Sequence, residues 1–370
     1  MIKSFWNKLK TSSLRINRTI SGNKLALQVW LLLVKLQDRL TGGKVQASID
    51  ETIKLFNRNS DRKKLLKDIW LCREVYLITP DEYFLFDFEN QPENKKRQFV
   101  GNREKELLCA AINRDEICRI FTDKYQSYLT FKDFYQREVL KISGDDAKKT
   151  FFNFFEKHDQ GILKVYNSSR GRGITAVDKS HSEDIWNKEL ANEIANGASF
   201  VLEEKVRQSA EMAAFNPDSV NTLRIGTYRL HGNVMILFAA LRTGRRGHIV
   251  DNGGNGGIFA VIDMENGVVS TNAKDKCGHQ FAVHPDSNLP FKGFHIPEWD
   301  KACEFVKKLS NVLPEQLYVG WDIAHTDNGW VMIEGNSWSQ MGLQQIGTMV
   351  GLRDKINETF YQTIKERKQA

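Results

Sequence analysis

One stretch constrains this chain more than any other: 319-VGWDIAHTDNGWVMIEGNSWSQMG-342. Apolar and polar residues alternate on both sides of Thr326-Asp327-Asn328-Gly329. Asn-Gly between alternating runs is a strong hairpin signal. In either register such a turn allows, Asp322 lies opposite Glu334 or one residue from it. Glu334 and Asn336 are two apart, so both side chains leave the same face of a strand. Two carboxylates and an amide oxygen then converge on one spot. On an interior-leaning face the two acids repel each other and lose hydration unless a cation offsets both costs. Such oxygen ligands suit a hard cation such as Mg2+, which takes one or two carboxylates together with nucleotide phosphates. The competing reading is a solvent-facing hairpin with ordinary polar residues. The apolar alternation around the acids speaks against it.

Three further segments carry candidate chemistry. The first, 161-GILKVYNSSRGRGITAV-177, reads as strand, glycine loop, strand. Lys164 lies on the first strand, and Ser168, Ser169, Gly171, Arg172 and Gly173 form the loop. Small residues let backbone N–H groups approach phosphate oxygens, and a lysine is a compact phosphate-binding charge. In the second, the apolar run Phe200 to Leu202 leads into Glu203-Glu204-Lys205-Val206. The third spans 216–263 and reads as antiparallel strands 221–230 and 233–242 joined at His231-Gly232. Arg224 is on the first of these strands and Arg242 ends the second; Arg245, Arg246 and the loop 251-DNGGNGG-257 follow. The planar fork of arginine grips oxyanions with two hydrogen bonds. Taken singly, each segment has a plain alternative: a surface turn, an edge strand with solvated charges, a basic surface hairpin.

Taken in order, they resemble a known family. Gly320-Trp321-Asp322-Ile323 followed by Ile333-Glu334-Gly335-Asn336-Ser337 is similar to the metal site of ATP-grasp enzymes, closest to their carboxylate–amine ligase branch. The resemblance covers about residues 121 to 345. It implies an α+β fold in which two lobes clasp ATP, preceded here by a mostly helical N-terminal region. It implies ATP and Mg2+ as cofactors, with Asp322, Glu334 and Asn336 as metal ligands. It implies phosphate binding by Lys164, by the loop of Ser169, Gly171, Arg172 and Gly173, and by Lys124 in 121-FTDK-124. Adenine would lie at the hinge of Glu204, Lys205 and Val206, with Glu211 on the ribose. Arg224, Arg242 and Asn252 resemble the family's residues around the transferring phosphate and the metals. His248, His279 and Asp251 are candidates for deprotonating an amine. Two departures stand out: Ser337-Trp338 replaces the family's Pro-Gly after the asparagine, and the front end lacks a parallel α/β pattern. The helical front end and the ending EGNSWSQMG resemble the branch found with sugar-transfer and polysaccharide-biosynthesis genes. That points to a uronic acid on a glycan or its lipid-linked precursor as the carboxylate, and to an amino acid as the amine.

The division expected is a basic amphipathic helical segment over 1–45, a helical domain over 46–120, a small ATP-grasp lobe over 121–204 and a C-terminal lobe with the metal site over 205–370. Helix periods run through 61–75 and 103–113, and 83-YFLFDF-88 reads as a short strand. The net charge of +7 suits an anionic partner. A nucleic-acid binder would show a denser basic face with interleaved aromatics, so none is expected as partner. Residues 1–45 read as a helical pair packed on the body or as a peripheral membrane contact. Five cysteines without a CxxC pair and no secretory signal suggest a reduced, cytoplasmic setting, at the inner face of the membrane if residues 1–45 bind it. A kinase-type phosphotransferase is the rival enzyme class, but the chain has no H-R-D-x-x-x-x-N catalytic loop. A non-enzymatic glycan or anion binder would leave the Asp–Glu–Asn group unexplained.

Overall fold

The computed structural model describes residues 24–56, 61–166, 173–248, 251 and 256–369. The chain divides into two compact units. One holds the residues up to Ile112 with 277–279 and 340 onward; the other holds 113–276 and 280–339.

The first unit is helical. Asp61 starts helix Arg62–Val75 by accepting the backbone N–H groups of Lys63 at 2.9 Å and Lys64 at 3.4 Å, the usual service of an N-terminal cap. Helix Asn102–Ile112 covers the second periodic segment. The expected strand at 83–88 is corrected: the chain forms helix Pro80–Leu85 and then a turn. The deciding residues lie upstream. Pro80 sits at the first helical position, where its missing N–H costs nothing, and the Thr79 N–H donates to the Glu82 carboxylate at 2.8 Å. The aromatic residues that suggested alternation instead fill a core, with the Phe86 and Phe99 rings 4.7 Å apart. The C-terminal segment closes this unit. The buried Gln345 amide accepts the Val100 N–H at 2.8 Å and donates to its carbonyl at 2.9 Å, standing in for a strand partner.

In the second unit the described strands form two antiparallel sheets, which gives the expected α+β character. The smaller sheet comprises β1 (Val139–Ile142), β2 (Gln160–Val165), β3 (Ile174–Asp178) and β4 (Phe200–Glu204), in the order β1-β4-β2-β3. Leu163, Phe200 and Leu202 pack with Phe151, Phe154 and Trp186 in one core. Val139 and Val201, on the other face, belong to a second, larger core. The larger sheet comprises β5 (Thr222–Leu230), β6 (Asn233–Thr243), β7 (Ile258–Val261), β8 (Ala273–Lys274), β9 (Gln280–Phe281), β10 (Tyr318–Thr326) and β11 (Gly329–Asn336), in the order β11-β10-β5-β6-β7-β8-β9. Both hairpins expected from the sequence are present. β5 and β6 turn at His231 and Gly232, both with positive φ, and β10 and β11 turn before Gly329.

Two glycines show why the β10–β11 motif has its spelling. A Cβ on Gly320 would come within 1.9 Å of the Ser339 hydroxyl, and one on Gly335 within 2.8 Å of the Phe121 ring. Trp321 between them is buried, and its indole N–H donates to the Thr227 hydroxyl at 2.9 Å. The alternate residues of β10 are therefore pinned on the core side, which fixes Asp322 on the other.

Candidate active site

Register alone assembles the centre. Asp322 pairs with Glu334 on one side and with Arg224 on the other, so three ionisable residues stand abreast on three neighbouring strands. A bulge follows at once, where Ile323 pairs with Met332 and skips Ile333. Bulges of this kind re-aim side chains next to functional sites. Thr222 pairs with Arg242 one row further along.

The side chains close on each other. Arg224 grips Asp322 with both Nε and Nη2, the latter at 2.7 Å. Arg242 Nη1 donates to the same carboxylate at 2.9 Å, while its Nη2 donates to Asp251 at 2.9 Å. The Thr222 hydroxyl donates to the other oxygen of Asp251. Arg242 is thus held in a fork between two acids, and Asp251 with Thr222 positions it. Burial disfavours the charge on Asp322, but Arg224 and Arg242 outweigh it and hold its pKa below the ordinary carboxylate value. Burial likewise opposes the Arg224 charge and is outweighed by Asp322, so that guanidinium stays firmly protonated. Asp251 goes the other way: burial raises its pKa, Arg242 opposes this, and the Asp322 charge adds to it. Three donors occupy Asp322, whose two oxygens offer about four acceptor positions.

Glu334 is the contrast. Its side chain remains open to solvent, and among the described residues no side chain pairs with it. Protein atoms crowd it nevertheless, so desolvation raises its pKa, and the Asp322 charge raises it further against the pull of Arg224 and Lys164. Asn336 lies two residues on, and its amide nitrogen is buried with no hydrogen-bond partner among the described residues. An accessible, unpaired carboxylate and a neighbouring carboxylate with one position to spare form a donor set that fits a hard cation, to which Asn336 would add its amide oxygen; the unsatisfied amide nitrogen is a hydrogen-bond donor and not a ligand. Asp322, Glu334 and Asn336 are the residues that would hold it.

A second cluster lies on the smaller sheet. Lys164 Nζ donates to Glu203 at 2.7 Å, across the diagonal between β2 and β4. Arg137 grips the other oxygen of Glu203 with Nε at 3.1 Å and Nη2 at 2.8 Å. Burial opposes the Glu203 charge, but Lys164 and Arg137 pull its pKa down to about 2. Arg137 Nη1 also donates to the Met332 carbonyl at 2.6 Å, which ties the smaller sheet to β11. Arg137 and Glu203 were not among the residues singled out from the sequence. Lys124 Nζ reaches the carbonyls of Val165 at 3.0 Å and Tyr166 at 3.2 Å, where β2 ends. Burial lowers its pKa, and the nearby Glu334 charge opposes the shift.

The remaining expected residues are spread more widely. Glu204 accepts the Glu138 N–H at 3.4 Å, and Lys205 donates to Gln160 at 3.3 Å. Val206 is half-buried in the segment after β4. Glu211 is exposed on the short helix Ala210–Ala213, where its own N–H and the Ser209 hydroxyl lower its pKa. Gly173 has φ +67° and accepts the Val165 N–H at 2.9 Å. Ser168, Ser169, Gly171, Arg172 and Asn252 lie outside the described residues. Arg245 pairs with Asp286 at 2.9 Å.

The sequence model of a family described as sugar-transfer associated ATP-grasp matches residues 103–360. The chain belongs to that family. ATP-grasp is therefore the fold, and ATP-dependent ligation is the general chemistry such enzymes share, typically with Mg2+. Among solved structures, D-alanyl-alanine synthetase A from Vibrio cholerae is 10% identical, with a TM-score of 0.41 over 65% of this chain and 66% of that one. N5-carboxyaminoimidazole ribonucleotide synthetase in its ADP complex is 10% identical, with a TM-score of 0.44 over 80% and 64%. D-alanine–D-alanine ligase from Bacillus anthracis is 12% identical, with a TM-score of 0.40 over 67% and 70%. The chain spans about two thirds of the length of each. No curated protein sequence matches.

Proposed function

We propose that this ATP-grasp protein is a carboxylate–amine ligase that forms ADP, phosphate and an amide. The observation that carries the reading is the juxtaposition of two arginines with an acid-rich group: Arg224 and Arg242 beside Asp322 and Glu334. Cations that stabilise a transferring phosphoryl group and oxygen ligands for a divalent ion are what an acyl-phosphate route requires.

In this reading Lys124, Lys164 and the loop around Ser169, Gly171, Arg172 and Gly173 hold the phosphates. Glu204, Lys205 and Val206 border the adenine, and Glu211 accepts the ribose hydroxyls. Mg2+ bound by Asp322, Glu334 and Asn336 would supply charge neutralisation at the phosphates. A substrate carboxylate oxygen bonds to the γ-phosphorus as the bridge to ADP breaks. Arg224 and Arg242 stabilise the charge on the transferring group and then on the acyl phosphate; Asn252 assists near the metals. The amine nitrogen bonds to the carbonyl carbon, the C–O bond to phosphate breaks, and the amine gives up a proton. The carboxylate is proposed to be a uronic acid on a glycan or its lipid-linked precursor, and the amine an amino acid. The family's association with sugar transfer supports this choice. The setting that fits is cytoplasmic, at the inner face of the membrane.

Hydroxylamine tests the reading. A nucleophile that traps acyl phosphates should yield a hydroxamate when protein, Mg-ATP and uronic-acid glycans are combined, with ADP formed in equal amount. A phosphoester that survives hydroxylamine would instead identify a kinase.

A further inference from the structure

Helix Lys24–Leu40 has two apolar faces, and the protein covers one of them. On the inner face Trp30 donates to Glu74 at 3.3 Å, and Lys35 lies 5.5 Å above the Trp70 ring. Asp38 accepts the N–H groups of Val45 at 2.9 Å and Gln46 at 3.0 Å, which fixes the helix against its successor, Lys44–Phe56. The rotation of the helix is therefore set. On the outer face Val29, Leu32, Leu33, Leu36 and Leu40 are 49%, 68%, 56%, 53% and 79% exposed. Their spacing of three and four makes one continuous stripe. Scattered exposed leucines need no explanation, but a stripe of this extent marks an interaction surface.

The charge distribution names the partner. Residues 1–45 hold nine lysines and arginines against one acid, whereas the other 325 residues hold 44 against 45. The whole positive excess of the protein lies in the segment that bears the stripe. An apolar helical face within a basic segment matches an anionic bilayer surface, where side chains sink to the headgroup boundary and lysines and arginines meet lipid phosphates. Among the described residues no helix is long and apolar enough to cross a membrane, so the contact is one of lying on the surface. We infer that helix Lys24–Leu40 docks this protein on an anionic lipid surface through Val29, Leu32, Leu33, Leu36 and Leu40. This goes beyond the ligase reading and does not depend on it.

The test is flotation of the full chain with vesicles of phosphatidylcholine alone or mixed with phosphatidylglycerol. The protein should float with the anionic vesicles, and binding should fall about tenfold or more between roughly 50 and roughly 500 mM salt. Leu32→Asp/Leu36→Asp should reduce it by a similar factor, with nucleotide binding unchanged as the check on folding. Should that variant not fold, Leu32→Ala/Leu36→Ala keeps helix propensity and serves the same comparison. Salt-sensitive binding that ignores both leucine variants would overturn the stripe as the contact. No flotation, together with concentration-dependent mass in light scattering, would assign the face to a second copy of the chain. Retention on an acidic glycan or nucleic acid without flotation would equally remove the lipid assignment.

Discussion

Two buried carboxylates in the second unit are each clasped by two cations, in different surroundings. Asp322 on the larger sheet sits between Arg224 and Arg242; Glu203 on the smaller sheet sits between Lys164 and Arg137. What differs is the surrounding charge. Around Asp322 two arginines face three acids, Asp251, Asp322 and Glu334, so the group is short of positive charge. Around Glu203 two bases, Lys164 and Arg137, face that one acid. Both clasped carboxylates are held below the ordinary value, Glu203 at about 2, whereas Glu334, beside Asp322 and without a clasp of its own, is pushed up. In the proposed reading a cation completes the acid-rich group and phosphates complete the base-rich one, so that a clasped carboxylate would stand in a metal half and in a phosphate half.

The largest effect should come from Glu334→Gln. Losing the one accessible, unpaired carboxylate of the acid-rich group should cut phosphate release by a factor on the order of a thousand. Thermal stability should hold or rise, because a desolvated charge beside Asp322 disappears; a melting curve decides. A fall in stability without a fall in turnover would break the distinction between the two groups.

Glu203→Ala should do the reverse. It strands Arg137 and Lys164 and should cost about 3–5 kcal/mol of folding stability, the usual penalty for removing one partner of a buried ion pair. Denaturant unfolding measures it. A loss below about 1 kcal/mol would mean that water reaches the cluster freely.

Acid should separate the groups as well. The folded pKa of Glu203 is depressed from 4.5 to about 2. Its stabilisation is present above the unfolded pKa and lost as pH falls through the folded one. Wild-type stability should therefore drop between about pH 4.5 and 2, by up to about 3 kcal/mol from this group. Glu203→Gln should lack that part of the drop. The smallest effect belongs to Thr222→Val, which leaves one oxygen of Asp251 without its donor. It should cost about 1 kcal/mol and slow turnover a few-fold as Arg242 loosens.

The acid-rich group was legible in the sequence because its residues obey local rules. A hairpin turn sets the register to within one residue, and period two sets the face; the turn alone would pair Asp322 with Ile333, and the bulge, which no sequence signal marked, brings Glu334 opposite it. The arginine strands follow for the same reason. The base-rich group was only half legible. Arg137 meets Glu203 66 residues away and Met332 195 residues away, and it precedes β1 in a turn where Gln136 has φ +49°. No periodicity marks such a residue. The misread strand at 83–88 teaches the complementary point: a proline and a cap upstream outweighed two periods of aromatic alternation.

The most direct measurement is ATP affinity as a function of Mg2+, by calorimetry, in wild type and Glu334→Gln. If the acid-rich group holds the cation and the base-rich group the phosphates, Mg2+ will tighten ATP binding in wild type. In Glu334→Gln most of that tightening will vanish, while metal-free ATP binding persists. Equal Mg2+ enhancement in both proteins would contradict the assignment of the metal half.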